Sequence, residues 1–304
     1  MSPNRLRVQL NRSLSRHRLR RERRRFRPDR TLVLADHWSG SVQQFYHFLL
    51  GYLGPFAAYA QAHPGRALAV RDCGPMNAWI DAIRPDVDVT TVSVGYALNT
   101  MIRAADSARI LVGLDDPARF RRRDLVGAAA AMRWLMGAED VPPTPGLPQV
   151  VVIDRQVTDP FYRSSQSETE MGGQERRSTP GLPAAVADLP LAVPSRVVEL
   201  TGMAPAEQIR LFSRATVIVG QHGAGLAHML WLPAGSTVVE IQPPLVPGVD
   251  HIFRELALTV LVGSDWVPRE SLGLPWLLEM VRHADPTVQT FARQYVLHQF
   301  GPAE

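Results

Sequence analysis

The stretch Thr216-Val-Ile-Val-Gly-Gln-His-Gly-Ala-Gly-Leu-Ala-His-Met-Leu-Trp-Leu-Pro-Ala-Gly-Ser-Thr-Val-Val-Glu-Ile241 decides how the chain reads. It opens with an apolar, β-branched run that stops at Gly220, the pattern of a strand buried on both faces. Gly223 and Gly225 then bracket a tight turn that opens a helix. Glycine there permits positive φ and lets a ligand approach the backbone closely. The first amides of a helix have no internal acceptor and lie at the positive end of its dipole. The turn formed by Gln221, His222, Gly223, Ala224, Gly225 and Leu226 is therefore a candidate cradle for phosphate or diphosphate. The next strand ends at Glu240, 20 residues beyond Gly220, where a carboxylate can accept hydrogen bonds from a ribose diol. The competing reading is that the glycines serve only close helix–strand packing. His222 inside the turn and Glu240 behind it favour nucleotide binding.

Outward from this motif, short strands alternate with helices. Residues 31–35, 66–70, 87–94 and 110–114 read as strands, with helices over 42–62, from Pro75, and over 117–137. Residues 139–148 hold four prolines in ten residues and read as a linker. The pattern then restarts with strands at 149–154, 196–200, 216–220 and 236–241 and helices at 205–214 and 226–232. Residues 158–180, polar and glycine-bearing, read as a mobile loop, and 272–300 as an amphipathic stretch. Such alternation predicts parallel sheets with right-handed crossovers, hence an α/β fold. The expected organisation is a basic arm (1–30), a first domain (31–138), the linker (139–148), a second domain (149–285) and a C-terminal helix (286–304). Two sheets so joined face a cleft, and ligands of open α/β sheets sit beyond the carboxyl ends of the strands.

Charge is unevenly spread. Residues 1–30 carry 12 arginines against Glu22 and Asp29, while the remaining residues carry a net charge of −6. Leu6, Leu10 and Leu14 recur at helical spacing, so the arm is expected to be solvated or to lie on an anionic membrane surface. With Phe26 alone for base stacking, nucleic acid is not an expected partner. The single Cys73 excludes an internal disulfide. The opening residues lack the apolar core of a secretory signal, and the expected location is cytoplasmic, peripheral on the inner membrane face.

The 216–241 string resembles the signature of glycosyltransferase family 61, with its HGAGL core and a following strand that ends in Glu. Residues 206–215 resemble the helix before that motif, and 151–155 the strand-plus-arginine that opens the family's second domain. In the first half, Gln44-Phe-Tyr-His-Phe-Leu-Leu50 resembles the family's aromatic element. The resemblance implies two Rossmann-like domains facing a cleft (the GT-B arrangement), a nucleotide-sugar donor, and transfer with inversion and no obligatory metal. The family usually has Asn where His228 stands.

An inverting displacement needs a base on the acceptor side and dipolar or positive stabilisation on the diphosphate side. The turn supplies the dipole, and Arg155 is expected to add a bidentate charge on phosphate. Asp36 and His37, directly after the first strand, and His47, on the aromatic helix, are the candidate catalytic residues. The bland reading of His47 is a packed core histidine. His228 reads as helix surface, and the pair Asp115-Asp116 as a helix cap before Pro117. No metal site is expected: the nine histidines show no i, i+4 pair with a third ligand. The partners are then a nucleotide sugar and a glycan, lipid or small-molecule hydroxyl acceptor, without a further cofactor. Two alternatives use the same turn: an NAD(P)-dependent oxidoreductase, and a non-catalytic sugar-nucleotide or glycan-binding module.

Overall fold

The computed structural model describes residues 30–38, 40–94, 97, 108–139, 150–154, 159–168, 195–221, 223–241 and 252–262. Apart from Arg30 and Glu139 at their edges, the basic arm, the proline-rich linker and the C-terminal helix of the sequence reading lie outside the described residues, as do Arg155 and His222. Among the described residues, no helix is long and apolar enough to cross a membrane.

The first sheet contains β1 (Thr31–Asp36), β2 (Leu68–Arg71), β3 (Val89–Val92) and β4 (Ala108–Val112) in the order β3-β2-β1-β4. The second contains β5 (Val150–Asp154), β6 (Ser195–Glu199), β7 (Val217–Gln221) and β8 (Thr237–Ile241) in the order β6-β5-β7-β8. Every pairing is parallel. β1, β5 and β7 are continuous runs of buried apolar residues because parallel strands between helical layers meet no solvent on either face.

These strand orders place two crevices. In each sheet the first strand has a later strand on either side, so successive connections leave in opposite directions and part at the strands' carboxyl ends. In the first sheet that point lies between β1 and β4, and in the second between β5 and β7.

The aromatic helix runs from Phe45 to Ala62 as α1 (Phe45–Phe48), a π-helical turn (Leu49–Leu53) and α2 (Gly54–Ala62). It buries Phe48, Tyr52 and Phe56 against the first sheet, and the Tyr52 hydroxyl donates to Val33 O (2.7 Å) while accepting from the Arg71 amide (3.1 Å). α3 (Asn77–Asp81) follows a 3₁₀ turn at Gly74–Met76. The helix expected over 117–137 is split. Pro117–Arg119 is a 3₁₀ turn capped by the Asp116 carboxylate, which accepts from the Ala118 amide (3.0 Å), and α4 (Arg122–Leu135) starts after extended Phe120 and Arg121. In the second half come α5 (Pro205–Phe212), a 3₁₀ helix over Ala224–Trp231, α6 (Ile252–Ala257) and a π-helical turn at Leu258–Val262.

One apolar cluster runs through both halves, from Phe48 and Leu53 to Ile218, Trp231 and Leu256. Polar contacts cross with it: Arg133 donates to Trp231 O (2.8 Å) and Arg210 to Gly137 O (3.0 Å). Part of the segment read as a mobile loop is docked rather than free. Pro160–Arg163 forms a 3₁₀ turn, Phe161 lies against Gly74, and Glu168 accepts from Ser41 Oγ (2.6 Å) and pairs with Arg71.

Candidate active site

The crevice of the first sheet gathers two of the three catalytic candidates around a residue the sequence reading assigned elsewhere. Asp115, on the loop after β4, has 0% exposure. One carboxylate oxygen accepts from His47 Nδ1 (2.8 Å) and the other from the Trp38 amide (2.9 Å). A carboxylate only accepts, so His47 carries a proton on Nδ1, which leaves Nε2 as the ring's other nitrogen for exchange with a ligand. The His47 side chain keeps 14% exposure. Asp115 therefore corrects the expectation of a capping pair. Asp116 is the cap, and its neighbour turns inward to hold a histidine 68 residues away.

Local structure explains why these groups meet. The Tyr46 hydroxyl donates to Asp115 O (3.0 Å), and the Leu114 amide donates to Leu50 O (3.0 Å) within the π-helical turn. One helix thus holds the 113–115 loop from three positions: Tyr46, His47 and Leu50. The space is glycine-walled. A Cβ on Gly51 would lie 2.8 Å from His37 Cβ and 3.0 Å from Asp115 Cγ. Gly40, at φ +64°, lays its backbone against the His47 ring, where a Cβ would sit 2.5 Å from Nε2. His37 is half-buried beside this cluster. Asp36 is exposed, and strand alternation puts it on the face of Leu32 and Leu34, opposite the face that Val33 turns to the His47 helix.

The crevice of the second sheet holds the glycine turn. Gly223 is extended (φ 158°, ψ 172°) and begins a 3₁₀ helix instead of the expected α-helix. Its carbonyl accepts from the Leu226 amide (3.0 Å), so the amides that 3₁₀ geometry leaves without an internal acceptor are those of Ala224 and Gly225. Leu226 is buried against Gly220, and Gly225 lies over Ile153. Close helix–strand packing is thus one use of these glycines. Gln221 pairs with Ile241 at the end of β7, and Glu240, 2% exposed, lies opposite Gly220 in the ladder.

The two crevices are joined by His228, which is not helix surface. It is fully buried, stacks on Phe212 (centroids 4.4 Å apart) and meets Phe45 of α1 (4.9 Å). Its Nδ1 accepts from Trp231 Nε1 (3.1 Å), and burial without a charge partner pushes its pKa down to about 3. The helix that presents His47 thus packs directly on the helix that begins at the glycine turn.

Two parallel sheets with helices packed at their switch points make this a mixed α/β protein of Rossmann-like kind. A family model described as Glycosyltransferase 61 matches residues 45–239, and the chain belongs to that family. It is also similar to the protein O-linked-mannose beta-1,4-N-acetylglucosaminyltransferase 2 of Pan troglodytes, 43% identical over 68 residues, covering 22% of this chain and 12% of the relative. The Homo sapiens protein of that name is 43% identical over 60 residues, covering 20% of this chain and 10% of the relative. The matched part therefore spans about an eighth or less of these relatives' length.

Proposed function

We propose that the protein transfers a sugar from a nucleotide-diphosphate sugar to a hydroxyl of a glycan acceptor, with inversion and without a metal, between two Rossmann-like lobes in the GT-B arrangement. The observation that carries this is the His47–Asp115 pair on a helix that packs against the glycine-turn helix. His47 Nε2 takes the acceptor's hydroxyl proton as the acceptor oxygen attacks the anomeric carbon. The bond from that carbon to the phosphate oxygen breaks, and the nucleoside diphosphate leaves with the electron pair. Asp115 holds the ring in the productive tautomer and stabilises the imidazolium that forms. The amides of Ala224 and Gly225 receive the departing diphosphate, and its charge is assigned to Arg155 and His222 on their sequence positions alone. Gln221 and Glu240 serve the nucleoside side, Glu240 by accepting from ribose hydroxyls.

Membership in a glycosyltransferase family favours this reading over an oxidoreductase with the same turn. The relatives' names make N-acetylglucosamine the first sugar to test and O-linked mannose the first acceptor. The arginine-rich residues 1–30 suit peripheral contact with an anionic, cytoplasmic membrane face.

Thermal unfolding in the presence of a panel of nucleotide sugars, nucleoside diphosphates and reduced nicotinamides, with and without EDTA, tests the donor class. One nucleotide sugar and its diphosphate should raise Tm in both buffers, because a ligand at about 100 times its Kd adds about 2.7 kcal/mol of stability. Stabilisation by nicotinamides alone would contradict the reading.

A further inference from the structure

Trp38 is the one aromatic among the described large apolar residues that stand exposed, at 44%; the others, Ile110, Val112, Val126 and Val197, are aliphatic. It lies in the polar loop between β1 and α1, and its position is fixed by the machinery of the site. Its amide donates to one oxygen of Asp115 while the other oxygen accepts from His47. Two residues later, Gly40 lays the same loop against the His47 ring. The backbone of Trp38 is thus tied to the carboxylate that holds His47, and the loop bearing it keeps a large, partly exposed indole at the site.

An exposed indole among polar groups suits a ligand with an apolar face and a polar rim, which is the character of a pyranose ring. The C–H face of the sugar lies on the ring while its hydroxyls stay hydrated or reach neighbouring polar groups. We infer that Trp38 is the platform on which a sugar ring of the acceptor stacks, so that one acceptor hydroxyl reaches His47 Nε2. This deepens the transferase reading and rests on His47 as the base. Trp38 is a positioning residue: it takes no proton and sets where the acceptor lies.

The test compares wild type with Trp38→Phe and Trp38→Ala, using the nucleotide sugar that stabilises the protein most. Methyl α-mannoside, methyl β-galactoside and methyl β-xyloside serve as acceptor probes, and nucleoside diphosphate release is measured. Trp38→Ala should raise the KM of the best methyl glycoside about tenfold, with kcat lowered far less, and Trp38→Phe should recover most of that loss. A second measurement covers the chance that Trp38→Ala does not fold. The same glycoside should quench or shift the indole emission of the wild type but not that of Trp38→Phe. An unchanged acceptor KM in Trp38→Ala, or identical emission changes in wild type and Trp38→Phe, overturns the platform while leaving the transferase reading standing. A wild type that releases no nucleoside diphosphate with any donor overturns both.

Discussion

Asp115 is the residue on which the first crevice turns. It is out of solvent, so both of its oxygens need partners, and they find His47 and Trp38. An asparagine there accepts with one atom and donates with the other: its oxygen keeps the Trp38 amide, and its amide nitrogen either opposes the Nδ1–H of His47 or forces the ring into the tautomer protonated at Nε2, which cannot accept the hydroxyl proton. Chemical unfolding should show a loss of about 1–3 kcal/mol, and kcat should fall while donor affinity holds. His228 makes a different prediction. Its folded pKa of about 3 lies below the ordinary 6.5, so below pH 6.5 the unfolded chain takes up a proton that the folded chain refuses. Its contribution to stability is therefore complete above pH 6.5 and is lost as pH falls toward 3, by at most about 1.4 kcal/mol per pH unit. His228→Asn removes that slope. Denaturant curves at pH 7 and pH 5 should show a smaller acid loss in the variant than in wild type, and equal losses would contradict the assignment. The sequence made His47 visible as a titratable group beside a strand end. It did not reveal Asp115, because two adjacent aspartates before a proline read alike, and only the backbone course after β4 separates the cap from the buried partner.

At the level of elements, the π-helical turn Leu49–Leu53 does the positioning. Such turns free a carbonyl within a helix and recur at functional sites. Here Leu50 O accepts from Leu114, which draws the 113–115 loop onto the helix. Gly51 makes room for that approach. Gly51→Ala should cost about 1–3 kcal/mol, because its methyl would meet His37 and the Asp115 carboxylate. Gly127→Ala is the matched control: its Cβ meets nothing within 4 Å on the exposed face of α4, so it should stabilise by about 0.5–1 kcal/mol. Urea unfolding of the two variants gives both signs in one experiment. The helix itself was legible from its aromatic run. Its π register was not, since one inserted residue leaves the hydrophobic pattern almost unchanged. The helix after the glycine turn was legible from the turn that opens it, while its 3₁₀ winding was not. Full burial of residues 226–231 erases the periodicity that would tell 3.0 from 3.6 residues per turn.

Across the whole molecule, two parallel sheets share one apolar core. The division of strands into two sets was readable, because each buried strand is a short β-branched run between polar loops. The contacts between the halves were not. They join residues far apart in sequence, such as Ser41 with Glu168 and Phe45 with His228, and no local pattern encodes such pairs. Those contacts set the helix that carries His47 against the helix that begins at the glycine turn, as the proposed transfer between two bound substrates requires. The most direct test is acceptor-dependent release of nucleoside diphosphate from a nucleotide sugar by wild type and His47→Ala, with donor affinity measured by calorimetry. His47→Ala should bind donor as wild type does and lose roughly 10²–10⁴-fold in kcat. A His47→Ala protein that turns over like wild type would contradict the assignment of the base and of the crevice built around it.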